Sequence, residues 1–300
     1  MSLRVLVTGA SGLIGPHACT ALKARGFEVI TLGRNARCDI VADLLDDQSR
    51  RNAVKQARAT HLLHLAWHDD PRNRWSAPEN LDWAAATIDL IRAFSAHGGE
   101  RALCAGSCAE YDLSPAALGN GVLTEDSPLN PASLYGRAKA QTGQLLLGAQ
   151  AELGLSISWG RIFFCYGPDE APGRLLSDIT RGILNAERVP CTDGLQQRDF
   201  LYTPDLGEAL AAVLTSGLTG AVNIGSGIAT PVRDLIIGAA DLLGRSDLID
   251  LGARPRPPQD PPVICADTGK LRSIGWAPRF SLQDGLRDCF ECQNLLGGGR

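Results

Sequence analysis

Tyr135-Gly136-Arg137-Ala138-Lys139 sets a phenol and an ammonium four residues apart, on one face of a helix. That pairing suits proton transfer. A free phenol titrates at about pH 10, too high for work at neutrality, and a neighbouring ammonium favours the phenolate. Gly106-Ser107-Cys108 closes the apolar run Ala102-Leu103-Cys104-Ala105, so Ser107 could donate a hydrogen bond to a substrate oxygen beside the tyrosine. The spacing alone is also what an accidental helix pair would give. An anion cradle upstream decides between the two. Thr8-Gly9-Ala10-Ser11-Gly12-Leu13-Ile14-Gly15 follows a strand-like run (Leu3, Val5, Leu6, Val7) and leads into a helix-like one (His17 to Ala24). Gly9 permits a tight turn, Gly12 lets the backbone approach phosphates, and Gly15 lets helix pack on strand. Ser11, Leu13 and Ile14 complete the turn, whose helix start aims N–H groups at the pyrophosphate of a dinucleotide.

These groups need a frame. Strand-like runs at Leu3–Val7, Glu28–Leu32, His61–Leu65, Arg101–Ala105 and Ser156–Phe164 alternate with helical stretches, the clearest being Asn80–His97 and Ser133–Leu153. Such alternation predicts an α/β fold with a doubly wound parallel sheet of Rossmann type. The Pro-rich stretch Arg254–Pro262 reads as a rigid loop, and Gly297–Arg300 as a disordered tail.

Taken in order, the motifs resemble the extended short-chain dehydrogenase/reductase superfamily, in its NAD-dependent epimerase/dehydratase (nucleotide-sugar) branch. Ser107, Tyr135 and Lys139 match the catalytic serine, tyrosine and lysine. Asp43-Leu44 matches a pair beside adenine, His64-Leu65-Ala66 the end of the fourth strand, and Asn80 the asparagine opening the next helix. Arg161 through Tyr166-Gly167-Pro168 resembles R-x-F-N-x-Y-G-P, and Arg198-Asp199-Phe200 with Asp205 resembles R-D-F-x-x-x-x-D. Asn223-Ile224-Gly225 and Gly275-Trp276-x-Pro278 complete the series. The resemblance implies a dinucleotide domain over 1–168 with returning segments at about 199–227. It leaves 169–198 and 228–300 as a smaller C-terminal substrate-binding region that covers a nucleotide sugar. It also implies a homodimer through the Asn80–His97 and Ser133–Leu153 helices, and a phosphate contact from the Pro-rich loop, with Arg256 preferred. The alternative for Arg256 is a solvated surface arginine.

Two choices remain, cofactor and reaction. The second strand ends Thr31-Leu32-Gly33-Arg34, with no carboxylate until Asp39. Arg34 would pair with the 2′-phosphate of NADP, which makes NADP the expected cofactor and NAD the alternative. In the family's 4,6-dehydratases the catalytic hydroxyl is followed by Asp-Glu, an acid and a base for eliminating water; here Cys108-Ala109 follows Ser107. That argues against elimination and leaves an oxidation/reduction step. The first expectation is reduction of an NDP-4-keto-6-deoxyhexose at C4. A 4-epimerase with retained NAD is the rival, and a non-catalytic NADP-binding regulator the third reading. Cys108, Phe164 and Arg198 join Ser107 as substrate contacts, with Phe164 standing where the family usually has a diphosphate-binding asparagine. Trp67-His68 replaces two small residues near the cofactor, and His68 reads as a loop histidine.

Bulk properties set the outer limits. Three hundred residues suffice for a sizeable core, and 44% hydrophobic with 21% charged residues is ordinary for a soluble globular chain. A net charge of −4 offers no basic footprint for nucleic acid. No apolar run is long enough to span a bilayer. Nine cysteines without regular spacing fit a reduced cytoplasm better than a disulfide framework. Cys289-Phe290-Glu291-Cys292 has metal-ligand spacing but no second pair, so no metal is expected.

Overall fold

Seven strands lie side by side in one sheet of a computed structural model that describes residues 3–296. The chain begins β1 (Arg4–Thr8), α1 (Gly15–Ala24), β2 (Glu28–Gly33), β3 (Ile40–Val41), α2 (Asp47–Ala57) and β4 (His61–His64). Next come α3 (Glu79–Ala96) and β5 (Arg101–Ser107), then an excursion through α4 (Pro115–Leu118) and β6 (Val122–Leu123). α5 (Leu134–Gly148) and the single turn α6 (Gln150–Leu153) lead to β7 (Ser156–Ile162). The chain then leaves the sheet for β8 (Phe164–Tyr166), α7 (Leu175–Leu184), β9 (Val189–Pro190) and β10 (Gln197–Tyr202). α8 (Thr203–Thr215) and β11 (Gly220–Ile224) return to it. The remainder holds β12 (Ala229–Pro231), α9 (Val232–Leu242), β13 (Ile249–Asp250), β14 (Val263–Ala266), α10 (Gly269–Ser273) and α11 (Leu282–Cys292).

All six pairings of the large sheet are parallel, in the order β3-β2-β1-β4-β5-β7-β11. The direction of winding reverses between β1 and β4, which puts a crevice at their C-terminal ends. Strands buried on both faces explain the near-continuous apolar runs, Val5-Leu6-Val7 and Leu62-Leu63 being fully buried. One face packs Ala18, Leu22, Leu206 and Leu210 of α1 and α8; the other packs Val54, Leu90, Ile91 and Leu146 of α2, α3 and α5. Gly207 makes the first contact possible, since a Cβ there would stand 2.5 Å from the backbone of His17.

Three boundaries differ from the sequence reading. The run Ser156–Phe164 is two strands, because the chain turns out of the large sheet at Phe163, whose N–H bonds the Ile224 carbonyl at 2.9 Å. β8 then joins a second sheet by pairing with β10. β10 belongs to that smaller sheet, with β12, β14 and β6, so of the stretch 199–227 it is α8 and β11 that rejoin the core. The helix expected over Ser133–Leu153 breaks at Ala149, and Gly154 (φ +59°) ends its last turn. α3 and α5 lie side by side and leave Leu81 and Leu145 exposed. Cys289 is buried beside Phe290 while Cys292 is exposed, so the pair faces two environments. The tail Gly297–Arg300 lies outside the described residues. Within them, no helix is long and apolar enough to cross a membrane.

Candidate active site

α5 carries Tyr135 in its first turn and Lys139 one turn later. Ser133 caps the helix by accepting from the Gly136 N–H at 3.0 Å. Gly136 is also what lets α5 approach the turn after β5, because any Cβ there would collide with the Ala109 carbonyl. That approach sets Tyr135 near Ser107. The Ser107 oxygen accepts from the Ala109 N–H at 3.2 Å, which leaves its proton for the cleft. Lys139 is buried and donates to the Ala105 carbonyl at 2.7 Å. Ser107, Tyr135 and Lys139 line one cleft of about 1750 Å³, together with Ile14, Leu65, Cys108, Phe164 and Arg198.

A buried carboxylate that the sequence reading passed over holds this arrangement. Glu110 accepts from the Ser107 N–H (2.7 Å), Trp159 Nε1 (2.9 Å) and Arg161 Nε (2.9 Å). Arg161 donates onward to the Tyr111 hydroxyl and the Glu125 carbonyl, and Tyr111 donates to Asn223 at 2.6 Å. One network thus ties the serine turn to β7 and β11. Gly106 makes room for it, since a Cβ would strike Trp159 Nε1.

The turn after β1 fits a pyrophosphate. Gly9 has φ +69° and a Cβ on it would stand 2.8 Å from Ala66 N. α1 starts with Ile14 at its cap position and no side-chain cap, leaving its first N–H groups for an anion. Gly12 has only the Gly9 carbonyl within reach of a Cβ, at 3.4 Å, so its outer side is open to a ligand. Gly15 packs on Ala10, 2.5 Å from a would-be Cβ, rather than on the strand itself; the turn folds onto its own helix.

Arg34 is exposed beyond β2 and Asp43 is exposed beyond β3, while Leu44 is buried in the core. Asp39 caps the edge of β2: its carboxylate accepts from the N–H (2.9 Å) and hydroxyl (2.7 Å) of Thr31, bonds that hold it below the usual carboxylate range. Asn80 is fully buried, donating to the carbonyls of Arg74 and Ala77 and accepting from Trp67 Nε1, so its side chain anchors the loop after β4. Arg254 and Arg256 are both exposed; Arg254 lines the cleft, and Arg256 is near enough to Arg198 of that cleft to lower its pKa. Arg198 pairs with Asp260 of the Pro-rich loop and lies 5.5 Å over the Phe164 ring. Trp67 and Trp75 also form walls, Trp75 meeting Tyr135 edge-on with ring centroids 5.5 Å apart.

Burial rewrites the electrostatics expected from helix spacing. Removal from water raises the Tyr135 phenol above its ordinary value, and the Ser107 hydroxyl only partly opposes the rise. The phenol therefore keeps its proton at neutral pH. The same desolvation brings Lys139 down from 10.5 to about 7, against the pull of Glu110. Cys108 is pushed up to about 12 by burial and stays a thiol.

The lysine shift carries a stability consequence. Between about pH 7 and 10.5 the unfolded chain holds a proton on Lys139 that the folded chain lacks, so stability rises with pH across that window. The burial penalty is therefore complete below pH 7. Lys139→Met should stabilise the protein by about 2–4 kcal/mol at pH 6, with the gain fading by about pH 10. Denaturant titrations at the two pH values check this, and an equal gain at both would contradict it.

Comparison with known proteins places this geometry. The family model described as the NAD dependent epimerase/dehydratase family matches residues 5–225. The chain is 27% identical to the dTDP-glucose 4,6-dehydratase of Streptomyces griseus, across 95% of this chain and 92% of that one. It superposes on the UDP-glucose 4-epimerase of Thermus thermophilus in complex with NAD with a TM-score of 0.85 at 25% identity, covering 99% of this chain and 100% of the other. MoeE5 in complex with UDP-glucuronic acid and NAD gives a TM-score of 0.83 at 31% identity, covering 97% and 99%.

Proposed function

The chain belongs to the NAD dependent epimerase/dehydratase family, and within it we propose an NADPH-dependent reductase of an NDP-4-keto-6-deoxyhexose, acting at C4. The observation that carries this reading is the convergence of Ser107, Tyr135 and Lys139 with a buried thiol, Cys108, and Ala109 where elimination would need an acid and a base. Neither can move the protons of a dehydration. Trp67 and Trp75 give the cleft wall beside Tyr135 an apolar character that suits a C6 methyl group.

The dinucleotide supplies the hydride when bound; the turn Gly9–Gly15 would hold its pyrophosphate and Lys139 its nicotinamide ribose. Arg34, exposed at the end of β2 while Asp39 is committed to Thr31, favours the 2′-phosphate of NADP. Ser107 donates to the substrate carbonyl and polarises it. Tyr135, which holds its proton at neutral pH, donates it to the same oxygen as the alkoxide forms. Lys139 restores charge balance beside the phenolate left behind.

A 4-epimerase is the second reading, favoured by the epimerase that superposes with NAD bound. It would use the same three side chains but must present both faces of C4 to one cofactor, which the aromatic walls of this cleft disfavour. The two readings part in one experiment. With NADPH or NADH deuterated at the transferring position and an NDP-4-keto-6-deoxyhexose, the reductase consumes one cofactor per sugar and mass spectrometry finds deuterium at C4. NADPH should be preferred over NADH. Tightly bound NAD+ and interconversion of 4-hydroxyl epimers without net cofactor consumption would assign the epimerase instead.

A further inference from the structure

Lys139 has an unusual neighbour. Its ammonium lies 3.7 Å from the centroid of the Trp67 indole, while the Trp159 ring centroid stands farther off at 5.9 Å. Trp67 is held in place: its Nε1 donates to Asn80 at 2.8 Å, and its ring leans on Trp83 at 6.5 Å. The other groups around the ammonium offer it little. The Glu110 carboxylate is already shared among Ser107, Trp159 and Arg161. Asp69, on the loop after β4, is mostly exposed and faces Arg74 at 3.3 Å and Arg174 at 3.7 Å. Cys104 of β5 is a buried neutral thiol, and His64 of β4 is buried between the hydroxyls of Thr8 and Thr87. Apart from its bond to the Ala105 carbonyl, the ammonium sits on the face of Trp67.

We propose that Trp67 is a positioning residue of the active site, whose indole face keeps Lys139 protonated and fixed beside Tyr135. A cation over an indole face is stabilised by the ring quadrupole, and the effect grows when water is excluded. Burial drives Lys139 toward the neutral amine; the indole opposes that drive. The device serves the function proposed above, and rests on that reading in taking the charged form of Lys139 as the working one.

The test reads the lysine itself. The chain has four lysines, Lys23, Lys55, Lys139 and Lys270, so protein labelled with carbon-13 at lysine Cε gives a sparse spectrum in which Lys139→Met identifies the signal. Trp67→Phe keeps an aromatic face, and Trp67→Leu leaves about the same space without one; Trp67→Met is a second non-aromatic variant should leucine fail to fold. The Lys139 midpoint should fall by about half a pH unit or more in the non-aromatic variants relative to Trp67→Phe. Coincident midpoints, or the reverse order, would overturn the proposal, even if turnover were lost. A midpoint that moves as expected while wild-type protein reduces no keto-sugar would leave Trp67 in its role and sink the reductase reading.

Discussion

Tyr135→Phe should lower kcat/KM for the keto-sugar by about two orders of magnitude or more while leaving cofactor affinity close to that of the parent. Burial keeps the phenol protonated at neutral pH and sets it beside the Ser107 hydroxyl, so its proton lies next to the group that would hold the carbonyl oxygen. Ser107 can polarise the carbonyl, but its oxygen already accepts from Ala109, and a serine hydroxyl is too weak an acid to replace the phenol. Phenylalanine keeps the edge-on contact with Trp75 and the Ser133 cap, so the helix should stay in register. Steady-state kinetics alongside a cofactor titration separates the effects. A rate within a few-fold of wild type would remove Tyr135 from the mechanism.

How much of this was legible in the residues divides along the reach of the interactions. The glycine turn and the Tyr135/Lys139 pair are local: each is decided within one turn of chain, and the structure sets Ile14, Tyr135 and Lys139 on one cleft. The parallel sheet followed because strands joined by helices have few ways to wind. What spacing could not show is depth. A lysine four residues from a tyrosine suggests a lowered phenol pKa, yet with both groups buried, loss of water is the leading cause of each shift. Trp67 read as a bulky replacement, and its place over Lys139 depends on a bond to Asn80, thirteen residues on. The exit of the chain at Phe163 depends on Ile224, sixty-one residues later, and no local periodicity records it. Nothing in the local sequence distinguishes Arg254 from Arg256 in a proline-rich loop; the loop's path puts Arg254 on the cleft lining and Arg256 near Arg198.

The largest stability effect should come from the residue the motif reading passed by. Glu110 is fully buried and its ion pair with Arg161 (2.9 Å) leaves that guanidinium only slightly exposed. Three donors surround the carboxylate, so Glu110→Ala strands the Ser107 N–H, the Trp159 indole N–H and most of the Arg161 charge in one step. Breaking a buried pair from one side typically costs about 3–5 kcal/mol, because the remaining charge has lost its solvent and its partner together. Arg161→Met should cost a similar amount, stranding the carboxylate instead. The double variant should be less destabilised than the two single losses added, since removing both charges removes the stranded one. Urea unfolding of the four proteins measures that coupling. Additive losses, or a loss below about 1 kcal/mol for Glu110→Ala, would mean that the pair behaves as a solvated one and does not anchor the serine turn. If the coupling is found, the same variants should lose turnover more steeply than cofactor binding, because the Ser107 backbone is tied to Glu110 while the glycine turn lies on β1, outside the network.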